Sequence, residues 1–264
     1  MRRIYQLTAK LAIALIVSAC SNETVERAAE DHGERETYIR DMPQDVLFDD
    51  AILETVRITE TEGDPPIITD PDHADVLINH DHRLDSSYIP PDLTVPDVRF
   101  SFSEALNRRM LREEAAAALE SMFQAAEADG ISLFAVSGYR SYERQRQIFD
   151  TSVQNRGEER TREVIAVPGT SEHQSGLAMD VSSQSNGFRL NTDFADTPEG
   201  EWVADHAHEH GYIIRYLEGY EAVTGISFEP WHLRYVGEEL AAELFRTGQP
   251  LEILMERAER VQEQ

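Results

Sequence analysis

One residue in this 264-residue chain is a cysteine, Cys20, so no disulfide can form within the chain and no cysteine-rich zinc site can organise it. The fold therefore has to be held by buried apolar surface, and a chain of this length can bury the core of one large domain or two small ones. That core has to come from segments with helical or strand periodicity, which begin at about Val76. Between 108 and 128, Leu111, Ala115, Ala118, Leu119, Met122, Phe123 and Ala126 recur at the three-and-four spacing of one helix face. Asp129-Gly130 ends that helix, and 131–136 (ISLFAV) reads as a buried strand. A second helix is expected over 142–153 and a strand over 176–181, followed by a polar loop over 182–198. A helix over 201–210, strands over 212–216 and 231–236, and amphipathic helices around 238–245 and 251–261 complete the chain. Helices and strands alternate irregularly with few parallel crossover units, which points to an α+β fold and not to a doubly wound one.

The N-terminus has a different character. Arg2, Arg3 and Lys10 precede an apolar run over 11–19, which at nine residues is far short of the roughly 20 that a membrane-spanning helix needs. It reads as a signal peptide. Val17-Ser18-Ala19-Cys20 directly after it resembles the lipobox of bacterial lipoproteins, which implies that Cys20 is acylated and becomes the first mature residue. The bland alternative is a buried small hydrophobe. Residues 21–75 hold 17 acidic against 4 basic side chains, scattered prolines and no sustained apolar period, and read as an acidic, largely disordered tether. Short apolar patches at 46–48 and 51–53 could form a helical turn or pack on the main domain. The expected organisation is thus 1–19 signal peptide, 20–75 tether and 76–264 folded domain.

Removing 1–19, which holds three positive charges and no acid, takes the formal charge from −26 to −29. Lys10 is the chain's one lysine. So acidic a surface repels nucleic acid and anionic head groups, and neither is an expected partner.

Two stretches bring together groups able to do chemistry. The first, Ser171-Glu172-His173-Gln174-Ser175-Gly176-Leu177-Ala178-Met179-Asp180, offers an imidazole and a carboxylate; the second, Glu229-Pro230-Trp231-His232, offers a carboxylate and an imidazole. Two imidazoles and a carboxylate suit a catalytic zinc, which takes three protein ligands and keeps a fourth position open. A further carboxylate beside it is the base that metal-assisted hydrolysis needs. Taken singly, each histidine is better explained by a satisfied structural role.

The patterns Ser-x-His-x-x-Gly-x-Ala-x-Asp and Glu-x-Trp-His resemble the zinc-site signatures of the VanY-type D-alanyl-D-alanine carboxypeptidases, relatives of the LdcB-type L,D-carboxypeptidases. The likeness extends through Ser137-Gly138-Tyr139-Arg140-Ser141-Tyr142, Gln145, Gly211 to Tyr216, Thr224-Gly225 and Arg234-Tyr235-Val236-Gly237, in the family's order from about Asn79 to about Phe245. The resemblance implies a small antiparallel sheet with flanking helices around a zinc cleft, and one Zn2+ per chain held by His173, Asp180 and His232. It implies that Glu229 is the general base acting on the water that the metal activates. Arg140 would face the substrate's terminal carboxylate or the developing oxyanion, and Ser171 and Gln145 would bind substrate. Trp231 would wall the pocket or touch substrate. The substrate implied is the stem peptide of peptidoglycan, met outside the cytoplasm by an enzyme tethered to a membrane through Cys20.

Leu217-Glu218-Gly219-Tyr220 stands where many relatives carry Pro-x-Gly-Lys, so any substrate contact made there is in doubt. His206 and His210 would share a helix face, but a second metal site there, or at His80 and His82, has little to support it. Two other readings remain open: an endopeptidase cutting inside the stem or cross-bridge, and a non-catalytic lipoprotein that binds wall peptides.

Overall fold

The computed structural model describes residues 48–264, Glu163 excepted. The signal peptide, Cys20 and the tether over 20–47 lie outside the described residues. Helix α1 (Asp50–Thr55) is capped by the Asp49 carboxylate, which accepts from the Ala51 amide. A hairpin of β1 (Thr61–Glu62) and β2 (Ile67–Ile68) follows. Phe48, Leu53, Val56 and Ile68 are buried, and the side-chain amide of Gln262 donates to the carbonyls of Leu53 and Val56. The expected tether is therefore corrected from residue 48 onward. Its few apolar side chains find a partner surface, and burying them outweighs an acidic composition that favours solvation.

Next along the chain, β3 (Leu93–Thr94) pairs with β4 (Leu111–Arg112), which leads into α2 (Glu113–Ala128). The expected helix thus begins at Glu113, because Leu111 and Arg112 are drawn into a ladder and 107–109 form a 3-10 turn. Buried Ala115, Ala116, Leu119, Met122, Phe123 and Ala126 form the apolar stripe of α2. Strand β5 (Leu133–Ser137) then leads to α3 (Tyr142–Arg156), whose Ser141 hydroxyl caps the Arg144 amide, and to α4 (Glu158–Arg162). After β6 (Ala178–Ser183) come α5 (Pro198–His206), β7 (Tyr212–Tyr216), α6 (Glu221–Thr224) and β8 (Glu229–Tyr235). Helices α7 (Glu238–Thr247) and α8 (Leu251–Gln262) end the chain. Among the described residues no helix is long and apolar enough to cross a membrane.

Strands β5, β6, β8 and β7 lie side by side in that order, every pairing antiparallel. The fold is α+β, as expected. Side chains alternate across a strand, and this sheet divides sharply. Met179, Val181, Tyr212 and Leu233 face the main core, where they meet Leu119 and Met122 of α2 and Val203 of α5. Asp180, Arg215, His232 and Arg234 take the opposite parity and remain buried, at 0–4 % exposure. A buried sheet face bearing a carboxylate, an imidazole and two guanidinium groups is costly unless every charge is met.

Candidate metal centre

Asp180 and His232 stand directly opposite each other in the β6–β8 ladder, so one register places both on the polar face. His173 arrives from the 3-10 turn Glu172–Ser175, which Gly176 ends at φ +71°, a left-handed conformation suited to glycine. The Nδ1 of His173 lies 2.9 Å from the carbonyl oxygen of Gly138. A carbonyl only accepts, so Nδ1 carries the hydrogen and Nε2 presents its lone pair, 3.4 Å from Asp180 Oδ2. His232 has the reverse arrangement: Nε2 meets Glu172 Oε2 at 3.2 Å, and Nδ1 lies 3.0 Å from Asp180 Oδ1. One donor atom from each of the three residues lies within 4.8 Å of the others, and all three side chains are buried. Each imidazole thus has its far nitrogen engaged by an acceptor and its near nitrogen turned toward Asp180. That donor set and its outer hydrogen bonds fit a zinc ion.

Gly138 is required by close approach. A Cβ there would stand 2.5 Å from the Met110 carbonyl oxygen and 2.8 Å from Met179 Cε.

Glu229 reaches the same cavity through an irregularity in β8. Residues three apart on a regular strand point to opposite faces. Here Ile214 pairs with Leu233 and Tyr216 with Glu229, so two steps along β7 match four along β8. The extra length around Pro230 bulges the strand and turns Glu229 toward the side occupied by His232. Burial pushes the Glu229 carboxyl up to about 7, with His232 and Arg140 opposing the rise and Asp180 adding to it. Burial alone would also raise Asp180, but His173 and His232 hold it well below the ordinary carboxylate range. His173 is lowered, chiefly by burial. For His232, burial is outweighed by Asp180 and Glu172, which lift it to about 9.

A cavity of about 230 Å³ is bounded by the three metal-type donors together with Glu229, Arg140, Gln145 and Ser171. The metal, catalytic and substrate-binding residues expected from the sequence therefore border one space, while Cys20 lies outside the described residues. Arg140 Nη1 donates to Gln145 Oε1 at 2.9 Å and Nη2 to Ser137 Oγ at 3.2 Å. Gln145 is buried and donates in turn to the Ala166 carbonyl at 2.6 Å, so its amide is engaged at both ends. Trp231 lines the cavity and packs partly on the main core. His206, His208 and His210 lie elsewhere, against Glu209, Phe245 and Ser121 respectively.

Sequence reasoning assigned no role to Glu172, Arg215, Arg234 or Glu252. Glu172 Oε1 accepts from Arg215 Nε and Arg234 Nη1, both at 2.7 Å, and Arg215 also makes a two-pronged pair with Glu252 of α8. Arg234 Nη2 donates to the carbonyls of Ala74 and Val76. Burial would raise Glu172, but Arg215 and Arg234, with His232, hold it far below the ordinary range. The available signal was an arginine flanked by apolar or aromatic residues in each of two strands, in Ile213-Ile214-Arg215-Tyr216 and Leu233-Arg234-Tyr235.

Two imidazoles, a carboxylate and a second carboxyl group that titrates near neutrality, facing an open cavity, define a metallohydrolase site. Residues 108–238 match the VanY family, D-alanyl-D-alanine carboxypeptidase. The chain is 48% identical over 194 residues to YodJ of Bacillus subtilis (strain 168), a candidate carboxypeptidase, covering 74% of this chain and 71% of YodJ. It is similar to the solved structure of the LdcB LD-carboxypeptidase, with a TM-score of 0.75, 46% identity, and coverage of 77% of this chain and 96% of LdcB. It also resembles a point variant of the D,D-pentapeptidase VanY from a VanB-type resistance cassette, solved with Zn(II). There the TM-score is 0.57 and the identity 29%, over 69% of this chain and 98% of that one. The chain belongs to the VanY D-alanyl-D-alanine carboxypeptidase family.

Proposed function

We propose that this protein is a zinc-dependent carboxypeptidase that removes the terminal D-alanine from peptidoglycan stem peptides, held at the cell envelope by a lipid on Cys20. The observation that carries the reading is the convergence of His173, Asp180, His232, Glu229 and Arg140 on one cavity. Zn2+ bound by His173, Asp180 and His232 would supply Lewis acidity that brings the pKa of water to around 7 and polarises the scissile carbonyl. Glu229, with a carboxyl group near 7, is matched to taking the proton of the attacking water and passing it to the leaving amine. Arg140, held by Gln145 and Ser137, presents a planar fork of donors to the substrate's terminal carboxylate or to the oxyanion that develops on attack. Gln145 acts through Arg140, and Ser171 offers a hydroxyl at the cavity wall.

The lipid anchor and the extracytoplasmic location rest on the basic n-region, the short apolar run and the Val17-Ser18-Ala19-Cys20 sequence. Stable anchoring takes more than one acyl chain, which a lipoprotein cysteine carries.

The test is a mass-spectrometric digest of purified stem pentapeptide, stem tetrapeptide, their C-terminally amidated analogues and a cross-linked dimer. Release of one terminal D-alanine from a free-carboxylate peptide, with the amidated analogue nearly untouched, is the expected result, and the preferred length separates D,D from L,D specificity. Equal cleavage of amidated peptides or of internal bonds would replace this reading with an endopeptidase. No cleavage by the zinc-loaded protein would leave a wall-binding lipoprotein.

A further inference from the structure

Among the described residues, Glu172 is the one carboxylate that touches a metal-type donor residue from behind. Its Oε2 meets His232 Nε2 at 3.2 Å, on the side of the ring away from Asp180. Its other oxygen is filled by two guanidinium donors, Arg215 and Arg234. Glu172, Arg215 and Arg234 side chains have no exposed surface. With Oε1 occupied by the two guanidinium groups, Oε2 is the oxygen left to hold the His232 ring, and it does so at Nε2. Nδ1 faces Asp180 Oδ1 at 3.0 Å, on the side where Asp180 and His173 converge, and a metal ion there would take this nitrogen by displacing its hydrogen.

We propose that Glu172 is a positioning residue that fixes both the orientation of the His232 ring and its tautomer, so that Nδ1 is the metal-binding nitrogen. This inference rests on the zinc carboxypeptidase reading above. His173, bound through Nδ1 to a backbone carbonyl, would present Nε2, so the two imidazoles are used through opposite nitrogens. The carbonyl behind His173 comes from a glycine and no substitution can remove it. The acceptor behind His232 is a side chain, which can be changed.

Glu172→Gln makes the sharpest test. Arg215 and Arg234 still demand an oxygen at their position, which turns the amide nitrogen toward His232. Nε2 must then accept, the ring hydrogen moves to Nδ1, and the metal-facing nitrogen is blocked. The expected loss of zinc affinity is about 10–100-fold, the usual effect of removing an outer partner of a metal-bound histidine. It is read by titrating the metal-free full chain with Zn2+ against a chromophoric chelator. Glu252→Gln is the control: it weakens the same buried charge network at Arg215 and leaves the Glu172–His232 bond in place. It should lower the melting temperature and keep the zinc affinity. If zinc affinity falls in step with melting temperature across both variants, Glu172 is structural only and the proposal is overturned.

Should Glu172→Gln fail to fold, 15N-histidine labelling of the zinc-loaded wild type decides. His232 is expected to be protonated at Nε2 and metal-bound at Nδ1, and the opposite assignment overturns the proposal. A wild type that neither binds zinc nor cleaves stem peptides would defeat the functional reading itself. Normal wild-type zinc binding and cleavage, with Glu172→Gln unchanged in both, would defeat this inference alone.

Discussion

Glu229 carries a measurable penalty for being where it is. Its carboxyl group rises from an ordinary 4.5 to about 7, chiefly through burial. At about 1.4 kcal/mol for each tenfold change in proton affinity, ionised Glu229 is destabilised by about 3 kcal/mol in the folded chain relative to the unfolded one. The folded pKa is the raised one, so whatever Glu229 contributes to stability is fully present below pH 4.5 and is lost as the pH climbs through about 7. Glu229→Gln is neutral at every pH and escapes that loss. In the metal-free protein, wild type and variant should unfold alike near pH 4.5, and by pH 8 the variant should be more stable by about 3 kcal/mol, or about 6–12 °C for a domain of this size. Metal has to be stripped for this comparison, because a cation in the site would pull the carboxyl group back down. Turnover of the zinc-loaded variant should drop by about 10²–10⁴-fold, the share of general acid–base catalysis, while zinc is retained. Chemical denaturation at half-unit pH steps, with zinc content and D-alanine release measured alongside, tests all three statements. A stability gap that does not widen with pH, or a variant less stable at pH 8, would refute the claim that burial tunes Glu229 for proton transfer.

Three further outcomes are expected. The wild-type chain should hold about one zinc and His173→Ala or His232→Ala should lose most of it, as measured by atomic absorption; full occupancy in the double variant would remove the metal assignment. Gly138→Ala should destabilise the fold by about 1–3 kcal/mol through overpacking against Met110 and Met179, and should weaken zinc binding by shifting the carbonyl behind His173; an unchanged melting curve would mean the loop yields. Wild type should fractionate with membranes and Cys20→Ala should become soluble or stay unprocessed, whereas membrane retention of a correctly cleaved Cys20→Ala chain would exclude the lipid anchor.

What the sequence made legible depended on distance along the chain. The stripe of α2 and the strands around Leu133, Ile213 and Leu233 could be read because apolar spacing is a local property. His173, Asp180, His232 and Glu229 could be named because each motif is short and resembles a family's pattern. For Gln145, a helix position alone does not reveal that both ends of its amide are engaged by Arg140 and Ala166. Glu172 sat inside a quoted motif without a role, because its partners Arg215 and Arg234 come from two later strands. The docking of α1 was illegible for the same reason: its partner, Gln262, lies at the far end of the chain.

The division of the central sheet into an apolar face and a charged one also bears on how the chain finds its register. Slipping β8 by one residue against β6 would exchange the faces of the whole strand. It would drive His232 and Arg234 into the layer now filled by Met179, Val181 and Leu233, with no carboxylate there to receive them. Uncompensated charge in such a layer is expensive enough to make the slipped pairing inaccessible. Pro230, with no amide hydrogen, further prevents the bulged end of β8 from zipping into a regular ladder. The residues that would hold the metal therefore also act as a proofreading device for assembly, and a misaligned sheet is rejected before it can become a stable, inactive fold.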